Sequence, residues 1–403
     1  MDFTGKRVLV VSPDVPYPPN HGGRVDVWGR IRCLRNLGFR TDLVATAKDR
    51  PDEAAVRNIE EHVERFIWCR REVRMLQMLS PLPLQIVSRR GLSKIRLTGR
   101  YDLALLESEC VWPILDNPTL AADHVLLRSH NDEEVYFREL AASAEPGIRK
   151  AYFLVESAKF RRLQRTIAER IRDFAFISAD ELASFSRAHP ESNSFWLPPS
   201  SGERNGKYPR ISRTALCLGS LFMPNNREGV RWYIENVHPR LSDVPDYELL
   251  VAGNSRGGSL DWLAGPARRH PNIRVLDTPD DLNPVYRRAS VFVCPMLHGA
   301  GVKLKTIEAI QNGLPVVSTS VGNQGTGLVT EKHVLVADDP ADFAARAREL
   351  LLNPVRRREM VLAAQDWIAE NYDQQRILGE YLSNLFGAGH EQCSAISEES
   401  GIR

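Results

Sequence analysis

The residues with the most chemistry in them run Pro295-Met296-Leu297-His298-Gly299-Ala300-Gly301-Val302-Lys303-Leu304-Lys305-Thr306-Ile307-Glu308-Ala309, then Gly313-Leu314-Pro315-Val316-Val317. An apolar β-branched run, Ser290-Val291-Phe292-Val293-Cys294, feeds a glycine-containing turn, and a helical pattern follows at once. That order aims backbone N–H groups and the positive end of a helix dipole at one point, a ready site for phosphate. Lys303 and Lys305 add mobile positive charge, and Glu308 supplies an acceptor suited to a sugar hydroxyl. An anion beside hydroxyls is the chemistry of a nucleotide sugar.

At about 100° per residue, Gly301, Lys305, Glu308 and Asn312 share one stripe of the expected helix. Leu304, Ile307 and Ile310 fall on the adjoining stripe and should face a sheet. Lys303 projects away from Lys305 and reaches the same anion only because it stands in the first turn. Gly313 is placed to close the helix in a left-handed cap. An ordinary βαβ unit with a glycine turn and a solvated lysine face would carry the same pattern, so this stretch needs support from the rest of the chain.

The elements that must position these residues alternate throughout. Strand-like runs fall at 8–11, 41–45, 103–106, 124–127 and 174–177, with helical patterns between them. After the polar, proline-rich break at 197–209 the alternation restarts, with strands at 215–218, 248–252, 273–276, 291–294, 316–318 and 334–336. The economical fold is α/β, two Rossmann-like doubly wound domains whose ligands lie beyond the C-terminal strand ends. Two such units facing each other would form a cleft.

The 403 residues suit two or three domains, and 43% hydrophobic content is ample for two cores. A net charge of +2 argues against an overall nucleic-acid footprint. No apolar run approaches the roughly 20 residues that span a bilayer, and the start of the chain shows no secretory pattern. Six scattered cysteines suggest neither a zinc knuckle nor a disulfide framework, and Cys217 and Cys294 read as core residues. The expected compartment is the cytoplasm. Basic residues cluster at Arg65–Arg74, at Arg89–Arg100 and on the helical pattern holding Lys159, Arg161, Arg162, Arg165 and Arg170. These helices either rest on anionic lipid at the inner face of a membrane or are solvated faces with ordinary core packing.

The stretch from Gly299 to Ala309, with 313–317 and Gly322-Asn323-Gln324-Gly325, resembles the donor-site signature of family 4 retaining glycosyltransferases, glycosyl transferases group 1, which have the two-domain GT-B architecture. Pro16-Tyr17-Pro18-Pro19 with Gly22-Gly23-Arg24 resembles the family's N-terminal glycine loop. Arg128-Ser129-His130-Asn131-Asp132-Glu133 resembles its histidine-bearing loop, and Gly219-Ser220 with Pro224-Asn225-Asn226 the opening of its C-terminal domain. The match spans nearly the whole chain. One departure stands out: the first of two family glutamates falls on Ala300, which cannot accept a sugar hydroxyl.

The resemblance implies an acceptor-binding domain at 1–200, a nucleotide-sugar domain at 210–370, and a last helix, 373–386, packing back on the first domain. Residues 387–403 read as a mobile tail. It also implies the roles. Gly299, Ala300, Gly301, Val302 and Leu304 would meet the donor phosphates with Lys303 and Lys305, assisted by Arg227. Glu308 would hold the ribose and His130 the transferred sugar. Gly22 and Gly23 would approach donor or acceptor, Ser220 would belong to the donor loop, and Thr278 would meet the base through its backbone. Glu133 and Glu134 read better as first-turn helix acids, and Asp280 and Asp281 as turn or cap residues.

The activity implied is transfer from a nucleotide-diphosphate sugar to a glycan, lipid-linked or small-molecule acceptor, in surface polysaccharide or glycoconjugate assembly. No cofactor and no metal are expected, since lysines and amides take the metal's place. A catalytically silent sugar-nucleotide-binding subunit and a GT-B-type sugar-nucleotide epimerase stay open as alternatives. Gly253-Asn254-Ser255-Arg256-Gly257-Gly258 lacks dinucleotide spacing, so a nicotinamide enzyme has little support.

Overall fold

The computed structural model describes residues 2–19, 22–144, 146–200, 204, 212–299 and 301–399. The chain divides into two compact units, residues 1–200 with 372–403 and residues 201–371. Ala300 falls outside the described residues, so its predicted place in the donor loop has no structural account.

The first unit is a seven-stranded parallel sheet made of β1 (Arg7–Ser12), β2 (Arg40–Ala47), β3 (Arg65–Arg70), β4 (Tyr101–Leu106), β5 (Ala122–Ser129), β6 (Asp173–Phe176) and β7 (Asn193–Trp196). The order is β3-β2-β1-β4-β5-β6-β7. Val10 stands between Leu43 and Leu105, so the central strands are apolar on both faces and helices cover each side. The closing helix Gln374–Glu399 belongs to this unit, burying Leu378 and Leu382. Its Tyr381 ring stacks on Phe195 at 4.0 Å, and the Tyr381 hydroxyl donates to Asp173 at 2.7 Å. The helix continues past residue 387, where the sequence suggests a mobile tail. No proline interrupts its hydrogen-bond ladder there.

The second unit is a six-stranded parallel sheet of β8 (Thr214–Leu218), β9 (Glu248–Gly253), β10 (Ile273–Asp277), β11 (Val291–Cys294), β12 (Val316–Ser318) and β13 (Leu335–Val336), ordered β10-β9-β8-β11-β12-β13. In both sheets the order reverses beside the first strand, at β1/β4 and at β8/β11. Ligands of doubly wound sheets bind at such points, beyond the C-terminal strand ends. All eleven strands expected from the sequence are present. The two not expected, β3 and β7, are the edges of the first sheet. Arg65 and Arg70 bound β3 and mask its apolar centre, and β7 has only four residues.

The helix after β11 spans Leu304–Gln311. Ile307 and Ile310 are buried as its periodicity requires. It ends as expected: Gly313 has φ +80°, its N–H donates to the Ile310 carbonyl, and the Leu314 N–H donates to the Ala309 carbonyl. This is the Schellman pattern, which asks for a residue without a Cβ. Replacing Gly313 by alanine should cost about 1–2 kcal/mol, read as a lower denaturation midpoint. An unchanged midpoint would show that the cap is not strained by a side chain.

Candidate functional site

In the second unit, the connection leaving β11 turns through Gly299 and Gly301, at φ +130° and +74°. The Lys303 ammonium donates to the Gly299 carbonyl at 2.7 Å and to the Gly301 carbonyl at 2.6 Å, and the side chain is only 8% exposed. This corrects the expectation of a mobile cation. Lys303 is the residue before the helix, and its ammonium holds the glycine turn together from beneath. The Leu304 N–H is also engaged, donating to the Val302 carbonyl at 3.2 Å. Its predicted phosphate contact would need that bond to open.

Lys305 is the more accessible of the two lysines. Its ammonium donates to Asn226 Oδ1 at 2.9 Å and lies 3.1 Å from Met296 Sδ. Asn226 Nδ2 in turn donates to the Ser220 carbonyl at 3.1 Å. One chain of contacts therefore joins the loop after β11 to the loop after β8, across the switch point. Leu218, Gly219, Asn226, Pro295, Met296 and Lys305 line a small pocket there. A wider depression lined by Glu248, Asn272 and Arg274 lies at the opposite, N-terminal strand ends.

Glu308 sits one turn after Lys305, as its spacing requires. Burial pushes its carboxyl up to about 7, against a hydrogen bond from Tyr286 that favours the charged form. Arg227, expected on the diphosphate, turns Nε back to the Leu221 carbonyl at 2.6 Å and holds its guanidinium 5.8 Å from the Trp262 ring centre. Thr278 follows β10 directly at φ +47°, its hydroxyl donating to Asp277. The Ser255 hydroxyl and N–H also donate to Asp277, and the hydroxyl is the main reason that carboxyl stays below its ordinary range. Asp281 accepts from the Asn283 N–H in the turn that leads into the next helix, one residue before its N-cap Leu282, and so has the turn role expected.

In the first unit, Gly22 and Gly23 begin the helix Gly22–Asn36, and Arg24 pairs with Asp14 at 2.8 Å. His130 follows β5 directly. Its Nε2 lies 3.0 Å from Glu107 Oε2, and its Nδ1 lies 3.9 Å from Asp26 Oδ2. These carboxylates belong to a buried cluster whose roles the sequence did not suggest. Arg128 donates to Asp26 through Nε and Nη2 at 3.0 and 2.8 Å. Arg30 bridges Asp26 at 3.0 Å and Glu107 at 3.0 Å. Burial alone would raise Asp26, but Arg128 and then Arg30 hold it far below the usual carboxylate range. The same contest, decided by Arg30 and then His130, lowers Glu107, while burial takes Arg128 down to about 10.

A signal was present in the sequence. Asp26 and Arg30 stand one helical turn apart, and Arg128 follows directly on the apolar run Val125-Leu126-Leu127 inside a strand. Asp26, Glu107 and His130 do converge closely enough to ligate a cation. The two arginines already balance both carboxylates, so a divalent ion would meet guanidinium charge on arrival. Glu133 and Glu134 are first-turn acids after the Asp132 cap, as expected. Burial nevertheless pushes Glu133 up to about 7 against the pull of Arg89.

No helix among the described residues is long and apolar enough to cross a membrane. The family model for glycosyl transferases group 1 matches residues 212–353, which contain the glycine turn, Lys305 and Glu308. An uncharacterised 44.6 kDa protein in the cps region of Klebsiella pneumoniae is 36% identical over 385 residues, covering 92% of this chain and 97% of its own. Sucrose-phosphate synthase from Thermosynechococcus elongatus shares the fold with a TM-score of 0.70 at 15% identity, over 95% of this chain and all of that one. Anabaena HepE, solved with UDP and glucose, gives a TM-score of 0.63 at 12% identity, over 94% of this chain and all of HepE.

Two outcomes follow from the buried charges. Asp26→Ala strands Arg30 and Arg128 away from water and should destabilise the first unit by about 3–5 kcal/mol in denaturant titration; a loss below about 1 kcal/mol would contradict the cluster's structural weight. Glu308 binds a proton more tightly folded than unfolded, so its contribution to stability falls as pH rises from about 4.5 through about 7. Glu308→Gln should therefore match the wild type near pH 4 and exceed it at pH 8, by up to about 3 kcal/mol. A gap that does not change with pH would show that this carboxyl titrates normally.

Proposed function

The chain belongs to the glycosyl transferases group 1 family and is a glycosyltransferase of GT-B fold, and we propose that it transfers a sugar from a nucleoside diphosphate to a glycan, lipid-linked or small-molecule acceptor with retention of configuration. The observation carrying the donor side is the glycine turn and helix start at the β8/β11 switch point, with Lys305 and Glu308 one turn apart. The cps-region relative supports a polysaccharide product.

In this reading the bond from the anomeric carbon to the diphosphate oxygen breaks as the acceptor oxygen bonds to that carbon. The acceptor's proton passes to the departing diphosphate oxygen, so no carboxylate pair is needed as acid and base. Charge growing on the diphosphate is met by the amides of the turn around Gly301 and Val302, by the helix dipole and by Lys305. Lys305 gives up Asn226 to do so. Lys303 contributes by keeping the glycine turn in shape, and Arg227 reaches the phosphates only after leaving the Leu221 carbonyl. Glu308 accepts from a ribose hydroxyl, while the loop at Thr278 meets the base. His130, oriented by Glu107, holds a hydroxyl of the transferred sugar. Gly22 and Gly23 open the helix N-terminus that the first unit offers to donor or acceptor. Charge neutralisation by amides and lysine makes a metal unnecessary for departure of the diphosphate.

A thermal-shift panel of UDP-, GDP-, ADP- and dTDP-sugars tests this, since a ligand that binds the native state raises its melting temperature. One base class should stabilise the wild type, and Lys305→Ala should abolish the shift while melting normally without ligand. No shift with any nucleotide sugar at millimolar concentration would overturn the donor assignment. A shift without sugar transfer to any acceptor would favour the silent-subunit alternative.

A further inference from the structure

Large apolar side chains stand exposed at eleven positions among the described residues, and seven of these lie in two segments of the first unit. One is the short 3₁₀ turn Met75–Leu79, where Met75 is 88% and Leu79 83% exposed, with Leu76 between them. The other is the N-terminal half of the helix Ile148–Arg170, where Ile148 is 90% exposed and Leu154 and Val155 are about half exposed. The two are held side by side. The Lys159 ammonium donates to the Met78 carbonyl at 2.9 Å and to Glu156 at 2.9 Å, and Glu156 accepts from the Leu84 N–H at 2.7 Å. This apolar face is therefore ordered by a buried ion pair and kept in water at a cost that burial would recover.

Its surroundings are basic. The helix carries seven arginines and lysines against two glutamates, and Arg162 and Arg165 continue its exposed face beyond the apolar half, beside Arg161, which pairs with Glu134 at 2.7 Å. Arg70 and Arg74 flank the turn. The buried positions of that helix, Phe160, Leu163 and Ile167, serve the core, so the exposed apolar face is a separate one. Met, Leu, Ile and Val dominate it, and it lacks the exposed aromatic anchors typical of protein hot spots. Aliphatic side chains bordered by arginines match the acyl boundary and phosphates of a lipid leaflet.

We propose that the face formed by Met75–Leu79 and the first half of Ile148–Arg170 seats the first unit on an anionic bilayer surface. Seating leaves the chain peripheral, with aliphatic side chains entering the interface and arginines meeting lipid phosphates. The assignment is independent of the donor site and is measured without any nucleotide sugar.

Full-length protein is sedimented with vesicles of phosphatidylcholine alone or mixed with phosphatidylglycerol. Binding should appear with the anionic vesicles, weaken with salt, and fall about tenfold or more in Leu76→Asp/Leu79→Asp and in Arg162→Glu/Arg165→Glu. Circular dichroism and melting temperature of both variants should match the wild type, because the substituted side chains point to water. Equal recovery with both vesicle types, or anionic binding that neither variant weakens, would overturn the proposal. So would a dimer in sedimentation equilibrium that Leu76→Asp/Leu79→Asp dissociates, which would make the face a contact between two copies.

Discussion

The Asp26 carboxylate accepts from Nε and Nη2 of Arg128, from Arg30, from the Ser200 N–H and from Gln374 Nε2, all inside the first unit. Those partners come from the first helix, the end of β5, the point where the chain leaves this unit and the point where it returns. A charge so far from water survives only if its partners stay in place, so these four segments share one geometry. His130 inherits that geometry. It is two residues from Arg128 on the same strand end and lies against Glu107, which Arg30 also holds. The position of the His130 ring at this strand end is thus a consequence of buried ion pairing rather than of its own loop.

The second unit uses a different device for the same purpose. A glycine turn exposes carbonyls on one side, and Lys303 binds them from beneath, so the backbone bends without a side-chain cluster. Lys305 and Asn226 then tie that turn to the loop after β8. The cation nearest the surface is held by a neutral amide and a thioether, both weaker partners than a phosphate would be. Exchange of Asn226 for an anion is therefore favourable, whereas pulling Lys303 from two carbonyls would dismantle the turn.

Strand alternation, the restart after residue 209 and the Schellman glycine at 313 were legible because each rests on local pattern. Edge strands β3 and β7 were not, since an edge tolerates polar residues that hide its period. The family relationship was legible through the residues from Gly299 to Ala309. Side-chain partners were harder to read. Spacing places Lys303 and Lys305 near one anion, but only the folded turn decides that one ammonium faces inward and the other outward. Asp26, Arg30, Glu107 and Arg128 lie up to about a hundred residues apart, and their union depends on which strands are neighbours. Arg128 directly after the apolar run Val125-Leu126-Leu127 was the available hint, because an arginine carried into a core requires buried partners.

The proposed seat of the donor diphosphate is the glycine turn and helix start of the second unit. A crystal structure with a bound nucleoside diphosphate tests it most directly. Phosphate oxygens should lie within hydrogen-bond distance of the Gly301–Val302 backbone and of Lys305 Nζ, with Lys305 released from Asn226 and Lys303 still bridging Gly299 and Gly301. Phosphates bound elsewhere, or Lys303 swung out to meet them while Lys305 keeps Asn226, would contradict it.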